Sequence, residues 1–281
     1  MLNFFSPYIR LMRADKPVGT LLLLLPCWFG VFLANHSGGS SQWHFLLLFA
    51  AGAFVMRSAG CVVNDIFDRK FDQKVARTKN RPLASGAIKL PQALILLALL
   101  LVAGFWILLQ FNIYVIASGF VAVGLAACYP LMKRVTFYPQ IFLGIAFNYG
   151  ILMANLQLKE NIDEPALLLY LACIIWTLIY DSIYAFQDIE DDLKIGVKSS
   201  AIILKKYPKQ ILLSLAVVMF ALIYKVAVLA GLAAHNFIFL AIAFFYLVAI
   251  IFKTNYSNGP SCLKAFQENF LVGLLILFAL I

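Results

Sequence analysis

Nine long apolar runs set the limits on what this chain can fold into. A helix needs roughly 20 mostly apolar residues to cross a hydrocarbon layer. Stretches of that kind fall at 18–34, 45–63, 91–110, 113–130, 138–156, 165–186, 211–230, 235–252 and 266–281. The runs are continuous rather than alternating, which selects helices over the dyad pattern of a membrane barrel. Of the 281 residues, 63% are hydrophobic and 12% charged, whereas a soluble domain has about half apolar and about a quarter charged. The expected architecture is an all-α membrane protein, one multi-span domain over 1–281 with nine transmembrane helices. The first run follows an Arg-containing polar stretch and precedes eight others, so it reads as a span and not as a cleaved signal.

The formal net charge of +9 would suit a nucleic-acid partner, but its distribution points to a lipid bilayer instead. Arg10, Arg13 and Lys16 precede the first run. Arg69, Lys70, Lys74, Arg77, Lys79, Arg81 and Lys89 lie between the second and third. Lys133 and Arg134 follow the fourth run, and Lys194, Lys198, Lys205, Lys206 and Lys209 follow the sixth. The alternate loops carry only Lys159 beside acidic Glu160, Asp163 and Glu164. This asymmetry places the N-terminus and the basic loops on the cytoplasmic side. The five cysteines are scattered singly, with no spacing that suggests a disulfide framework or zinc.

Two acidic clusters sit at the basic ends of apolar runs. In the first, Asn64, Asp68 and Asp72 are spaced i, i+4, i+8 and share one helical face. In the second, Asp181, Asp188 and Asp192 are spaced i, i+7, i+11, with Tyr184 beside them. Like charges at such spacing destabilise a bare helix and require compensation. Hard divalent cations supply it, and Mg²⁺ takes one or two carboxylates while leaving its other positions to water and substrate phosphates. Two such faces opposed across a cavity suit a metal-bridged diphosphate. Asp65, Glu190 and Asp191 read equally well as solvated loop charges.

The neighbouring bases suit the same anion, because Arg and Lys stabilise a diphosphate as it leaves. Lys133 and Arg134 are the strongest candidates, with Arg69 also available. Arg57 lies inside the second run, seven residues before Asn64 and about two turns deeper on the same face. A charge at that depth needs a partner. Asp181 is one candidate, and the carboxylate of an aromatic acid is the other.

The run Asn64-x-x-x-Asp68-x-x-Phe71-Asp72-x-x-Val75-x-Arg77-Thr78-x-x-Arg81-Pro82-x-x-x-Gly86 resembles the signature of the UbiA-type intramembrane prenyltransferases. The run Asp181-x-x-Tyr184-Ala185-x-x-Asp188-x-x-x-Asp192 is similar to that superfamily's second aspartate-rich motif. Within the superfamily the resemblance is to the 4-hydroxybenzoate polyprenyltransferases. Leu11-Met12-Arg13-x-Asp15-Lys16-Pro17, Arg57-Ser58-Ala59-Gly60-Cys61 and Tyr129-Pro130-Leu131-Met132-Lys133-Arg134 carry it. The resemblance implies nine helices around a central cavity open laterally to lipid, Mg²⁺ as cofactor and a role in ubiquinone synthesis.

On that basis Asn64, Asp68, Asp72, Asp188 and Asp192 are the expected metal ligands. Arg57, Arg69, Tyr129, Lys133, Arg134 and Tyr184 are the expected substrate contacts, and Asp181 or Tyr184 would orient the phenol or take the ring proton. The expected partners are polyprenyl diphosphate, 4-hydroxybenzoate and the bilayer of a bacterial-type inner membrane. Two alternatives stay open: a different aromatic acceptor, and a cation-coupled secondary transporter.

Overall fold

The computed structural model describes residues 2–35, 43–75, 77–190 and 198–281, except for the side chains of residues 2–4, 133 and 134. A short helix, α1 (Leu2–Leu11), precedes α2 (Val18–Asn35), α3 (Trp43–Asp72), α4 (Leu90–Leu108) and α5 (Ile113–Val135). Next, α6 (Pro139–Phe147) and α7 (Gly150–Lys159) form one span in two pieces. α8 (Glu164–Ala185) tightens into a 3-10 turn at Phe186–Asp188, and α9 (Ser200–Leu204) is short. α10 (Pro208–Leu229), α11 (Asn236–Lys253) and α12 (Gly259–Leu280) complete the chain. Among the described residues nine stretches are long and apolar enough to cross a membrane, one for each expected run.

Two boundaries differ from the expectation. α3 continues to Asp72 rather than ending near 63, because the polar residues that end an apolar run do not end a helix. α12 begins at Gly259 rather than 266, where the Asn258 side chain accepts a hydrogen bond from the Ser261 N–H at 3.0 Å and Pro260 occupies the first turn.

α2 and α8 form the centre of the bundle. In each, 61% of the apolar window is buried, against 11% in α4 and 17% for the α5 span, which face outward. Trp176 and Tyr180 of α8 pack edge to face against each other, and Phe29 of α2 lies 6.2 Å from Trp176 between centroids. The Trp176 indole N–H donates to Asn269 Oδ1 of α12 at 3.0 Å, so the large ring brings no unpaired polar atom into the core. Close helix approach uses small residues, as is usual where lipid supplies no hydrophobic drive. A Cβ on Gly30 of α2 would fall 2.8 Å from the Ile151 backbone of α7.

The break between α6 and α7 is held by one side chain. Asn148 Nδ2 donates to the Gly144 carbonyl at 2.7 Å, the Cys173 carbonyl at 3.1 Å and Thr177 Oγ1 at 2.9 Å. Irregular backbone at membrane depth is tolerated only where protein satisfies it. Here α8 provides that.

Outside the spans, Asp163 caps α8. Its carboxylate accepts from the Ala166 N–H at 3.0 Å, Lys159 Nζ at 2.7 Å and Asn155 Nδ2 at 3.2 Å. Partial burial works against the charge, but these donors outweigh it and hold the carboxyl below its ordinary value. Asp163→Ala is expected to cost about 1–2 kcal/mol, read as a lower thermal midpoint in detergent. A depressed folded pKa contributes stability that is complete above the unfolded value, about 3.9, and lost as pH falls through the folded one. The gap between wild type and variant should therefore stay constant from neutral pH and close only in strong acid.

Candidate active site

One cavity of about 1000 Å³ runs into the bundle, walled by α2, α3, α4, α5, α6, α7, α8 and α12. Its walls are mostly apolar, with Leu22, Phe49, Phe111 and Met153 among them. Its mouth is polar and carries Arg13, Asn64, Asp65, Arg81, Asp188 and Lys198.

The two acidic clusters meet at this mouth. α3 brings Asn64 to the wall; Asp68, one turn on, is half-buried and does not line the cavity. α8 brings Asp181 and Tyr184, and the 3-10 turn that follows presents Asp188. Arg77, in the loop after α3, joins them: Nε donates to Asp188 Oδ1 at 2.7 Å and Nη1 to the Tyr184 hydroxyl at 3.1 Å. The loop thus reaches across the mouth to the far cluster. Tyr129 of α5 also lines the cavity. Asp192 lies outside the described residues, as do the side chains of Lys133 and Arg134.

Besides Asp68, three residues stand differently from the expectation. Asp72, expected among the metal ligands, is 6% exposed, lies off the cavity wall and accepts from Arg81 Nη1 at 2.8 Å. Arg69, expected at the diphosphate, lies outside the cavity in a separate surface recess with Phe67, Lys70 and Leu90. The reason is helical phase: five residues past Asn64 is about 140° round the helix. Asp65, open to a solvated-loop reading, is 1% exposed. It accepts from Arg13 Nη2 at 2.8 and 3.0 Å and from Arg81 Nη1 at 3.2 Å. Arg13 itself turns through the left-handed region with φ of 58° and donates through Nη1 to the Arg10 carbonyl at 2.7 Å.

In the sequence Arg13 stands in the topological charge pattern and in a stretch that carries the family resemblance, with no partner assigned. Its place beside the motif depends on a contact 52 residues away, which no local pattern encodes.

Arg57 sits deep in the same cavity. Its guanidinium lies 5.5 Å from the Phe147 ring centroid of α6, and its buried Nε has no hydrogen-bond partner. Among the described residues no salt bridge fixes it, although Asp181, Tyr129 and Tyr184 lie close enough to act on its charge. Gly19 of α2 makes room for it: a Cβ there would meet Arg57 Nε and Nη2 at 2.9 Å.

The donors at the mouth are oxygens, which suits a hard cation. Among the described residues no three His, Cys, Asp or Glu side chains converge. Mg²⁺ needs only one or two carboxylates when water and phosphate complete its shell, and Asn64 and Asp188 on one cavity meet that requirement.

The sequence model of the UbiA prenyltransferase family matches residues 23–275. The chain belongs to this family. It is 41% identical over 277 residues to the mitochondrial 4-hydroxybenzoate polyprenyltransferase of Rattus norvegicus, covering 98% of this chain and 74% of that protein. It is 42% identical over 274 residues to the 4-hydroxybenzoate octaprenyltransferase of Pseudoalteromonas translucida (strain TAC 125), covering 98% and 93%. Among solved structures, the apo UbiA homolog from Aeropyrum pernix K1 superposes with a TM-score of 0.75 at 24% identity, covering 92% of this chain and 94% of that one. The UbiA homolog from Archaeoglobus fulgidus bound to GPP and Mg²⁺ gives 0.70 at 16% identity, covering 97% and 98%. These structures share the fold of this multi-pass membrane protein.

Asp65→Ala removes a buried carboxylate and leaves two guanidinium groups side by side. The expected loss is about 3 kcal/mol, seen as a large drop in thermal midpoint. Glu190→Ala, at an exposed position, should leave the midpoint unchanged.

Proposed function

We propose that this chain transfers a polyprenyl group from polyprenyl diphosphate to carbon 3 of 4-hydroxybenzoate, a membrane step of ubiquinone biosynthesis that uses Mg²⁺. The observation that carries this reading is Arg57: a guanidinium without an ion-pair partner among the described residues, at the apolar depth of a cavity whose mouth carries oxygen ligands and cations. A carboxylate on a flat ring fits that depth, with the Phe147 face alongside. The relatives named for this reaction, about 40% identical over nearly the whole chain, support the same acceptor.

In this reading Asn64, Asp68, Asp188 and Asp192 hold Mg²⁺, which when bound neutralises diphosphate charge as the leaving group departs. Arg13, Arg81 and Lys198 line the mouth and add donors to the diphosphate oxygens. Lys133 and Arg134 belong with them. Asp72 and Asp65 act by holding Arg81 in place. The carbon–oxygen bond of the allylic diphosphate breaks, a bond forms from the prenyl carbon to the ring carbon beside the hydroxyl, and the ring proton leaves. Asp181 or Tyr184, on the same wall, orients the phenol or takes that proton. Apolar walls keep water from the allylic cation.

The tail passes along α4 and α5, where Phe105, Phe120 and Val123 line the cavity and are also 47%, 62% and 44% exposed. That supports a cavity open sideways to lipid. The basic loops support a mouth on the cytoplasmic face of a bacterial-type inner membrane.

The test is transfer of radiolabelled 4-hydroxybenzoate to the organic phase by membranes given geranyl diphosphate, with Mg²⁺ or EDTA. Label should move only with metal. Asp68→Ala and Asp188→Ala should each lower kcat by at least about 100-fold, and the double variant by little more, because groups acting as a unit do not add. Gly19→Ala, which crowds Arg57, should raise the KM for the acid by about ten-fold while changing kcat less. Prenylation of another ring in place of 4-hydroxybenzoate would overturn the acceptor assignment.

A further inference from the structure

Among the described residues three buried side-chain amide oxygens lack a hydrogen-bond partner: those of Gln140, Asn148 and Asn236. Two belong to structural amides. Asn148 Nδ2 secures the α6–α7 break, and Asn236 Nδ2 donates to the Ala279 carbonyl at 2.9 Å. Neither lines the cavity. Gln140 differs on both counts. Among the described residues no hydrogen bond holds its carboxamide, and although it is only 4% exposed it forms part of the cavity wall.

Its position along the cavity follows from helix geometry. Gln140 precedes Phe147 by seven residues on α6, so the two share a face and stand about 10 Å apart along the axis. Phe147 packs on Arg57, so Gln140 lies about two turns nearer the mouth than the deep guanidinium. Buried polar groups are normally paired. A wall with an orphaned donor at one level and an orphaned acceptor two turns above it is built for a ligand with an acceptor at one end and a donor at the other.

We propose that Gln140 is the residue that receives the hydroxyl of the aromatic acid. The phenol O–H donates to its carboxamide oxygen while the carboxylate lies on Arg57. This rests on the acceptor reading given above. It also follows from the chemistry of the two substrates, because prenyl diphosphate and an ionised carboxylate offer only acceptors. A neutral amide oxygen repels both, and the phenol O–H is the one donor it can take. Held at both ends, the ring turns the carbon beside its hydroxyl toward the diphosphate end, where Asn64 and Asp188 stand.

The experiment is calorimetric titration of the purified full chain in detergent with 4-hydroxybenzoate and with 4-fluorobenzoate, without donor substrate or metal. Fluorine matches the hydroxyl in size but donates nothing. Wild type should prefer the hydroxy acid by about ten-fold, the worth of one buried hydrogen bond. Gln140→Leu should abolish the preference and leave the affinity for 4-fluorobenzoate unchanged. Gln140→Asn, which keeps an amide but withdraws it by one methylene, should do the same if the Leu variant does not fold. Full preference in either folded variant, or none in wild type, overturns the assignment. Wild type that prenylates 4-hydroxybenzoate but shows no preference removes Gln140 alone. Wild type that neither binds nor prenylates it removes the acceptor reading, and this one with it.

Discussion

Charge at the edge of a hydrocarbon layer has to be answered by opposite charge, and the cavity mouth is organised around that requirement. Asp65 is almost wholly buried, and an isolated carboxylate there would be untenable. Arg13 and Arg81 answer it, and Arg81 also answers Asp72. The chain therefore fastens its amino-terminal turn, its third helix and the following loop through one set of ion pairs. Arg77 extends the same loop to Asp188 on the far wall. The motif residues that look like a list of ligands thus divide into two kinds. Some reach the cavity, and others hold the cations that do.

The apolar architecture was legible because hydrocarbon thickness is a strong ruler, and each expected run has its span. The ruler failed where polarity and helicity part company. α3 carries its acidic residues as helix rather than loop, and it can do so because Arg13 and Arg81 neutralise them. The α6–α7 break was invisible because Asn148 looks like any polar residue in an apolar run. Its meaning depends on Thr177 and the Cys173 carbonyl, a helix away.

Site residues were legible where helical phase alone decided. Asn64, Asp181, Tyr184 and Asp188 reach one cavity. Arg69 is the instructive exception, since the same phase rule sends it to the outer surface while its charge alone suggested the diphosphate. Asp65 and Arg13 were not legible, because burial and long-range pairing turn a loop charge into a structural one. Gln140 gave no signal at all. Its interest lies in a missing partner, and a missing partner exists only in three dimensions.

The cavity is also measured out by helix pitch. Arg57 and Asn64 on α3, Asp181 on α8 with Asp188 in the turn that follows it, and Phe147 and Gln140 on α6 are three pairs, each seven residues apart. In each pair one member lies deep and the other near the mouth. α3 and α8 run toward the mouth and α6 runs away from it, so the offsets align across the cavity. On α3 and α6 the pair sits within a single helix, and there the separation of about 10 Å is set by hydrogen-bonded backbone and not by side-chain packing. A ring anchored at the deep level and a diphosphate anchored at the shallow one are then held at a separation that loop movements do not alter. Loops decide whether the mouth is closed, while the helices decide how far apart the reacting ends stand.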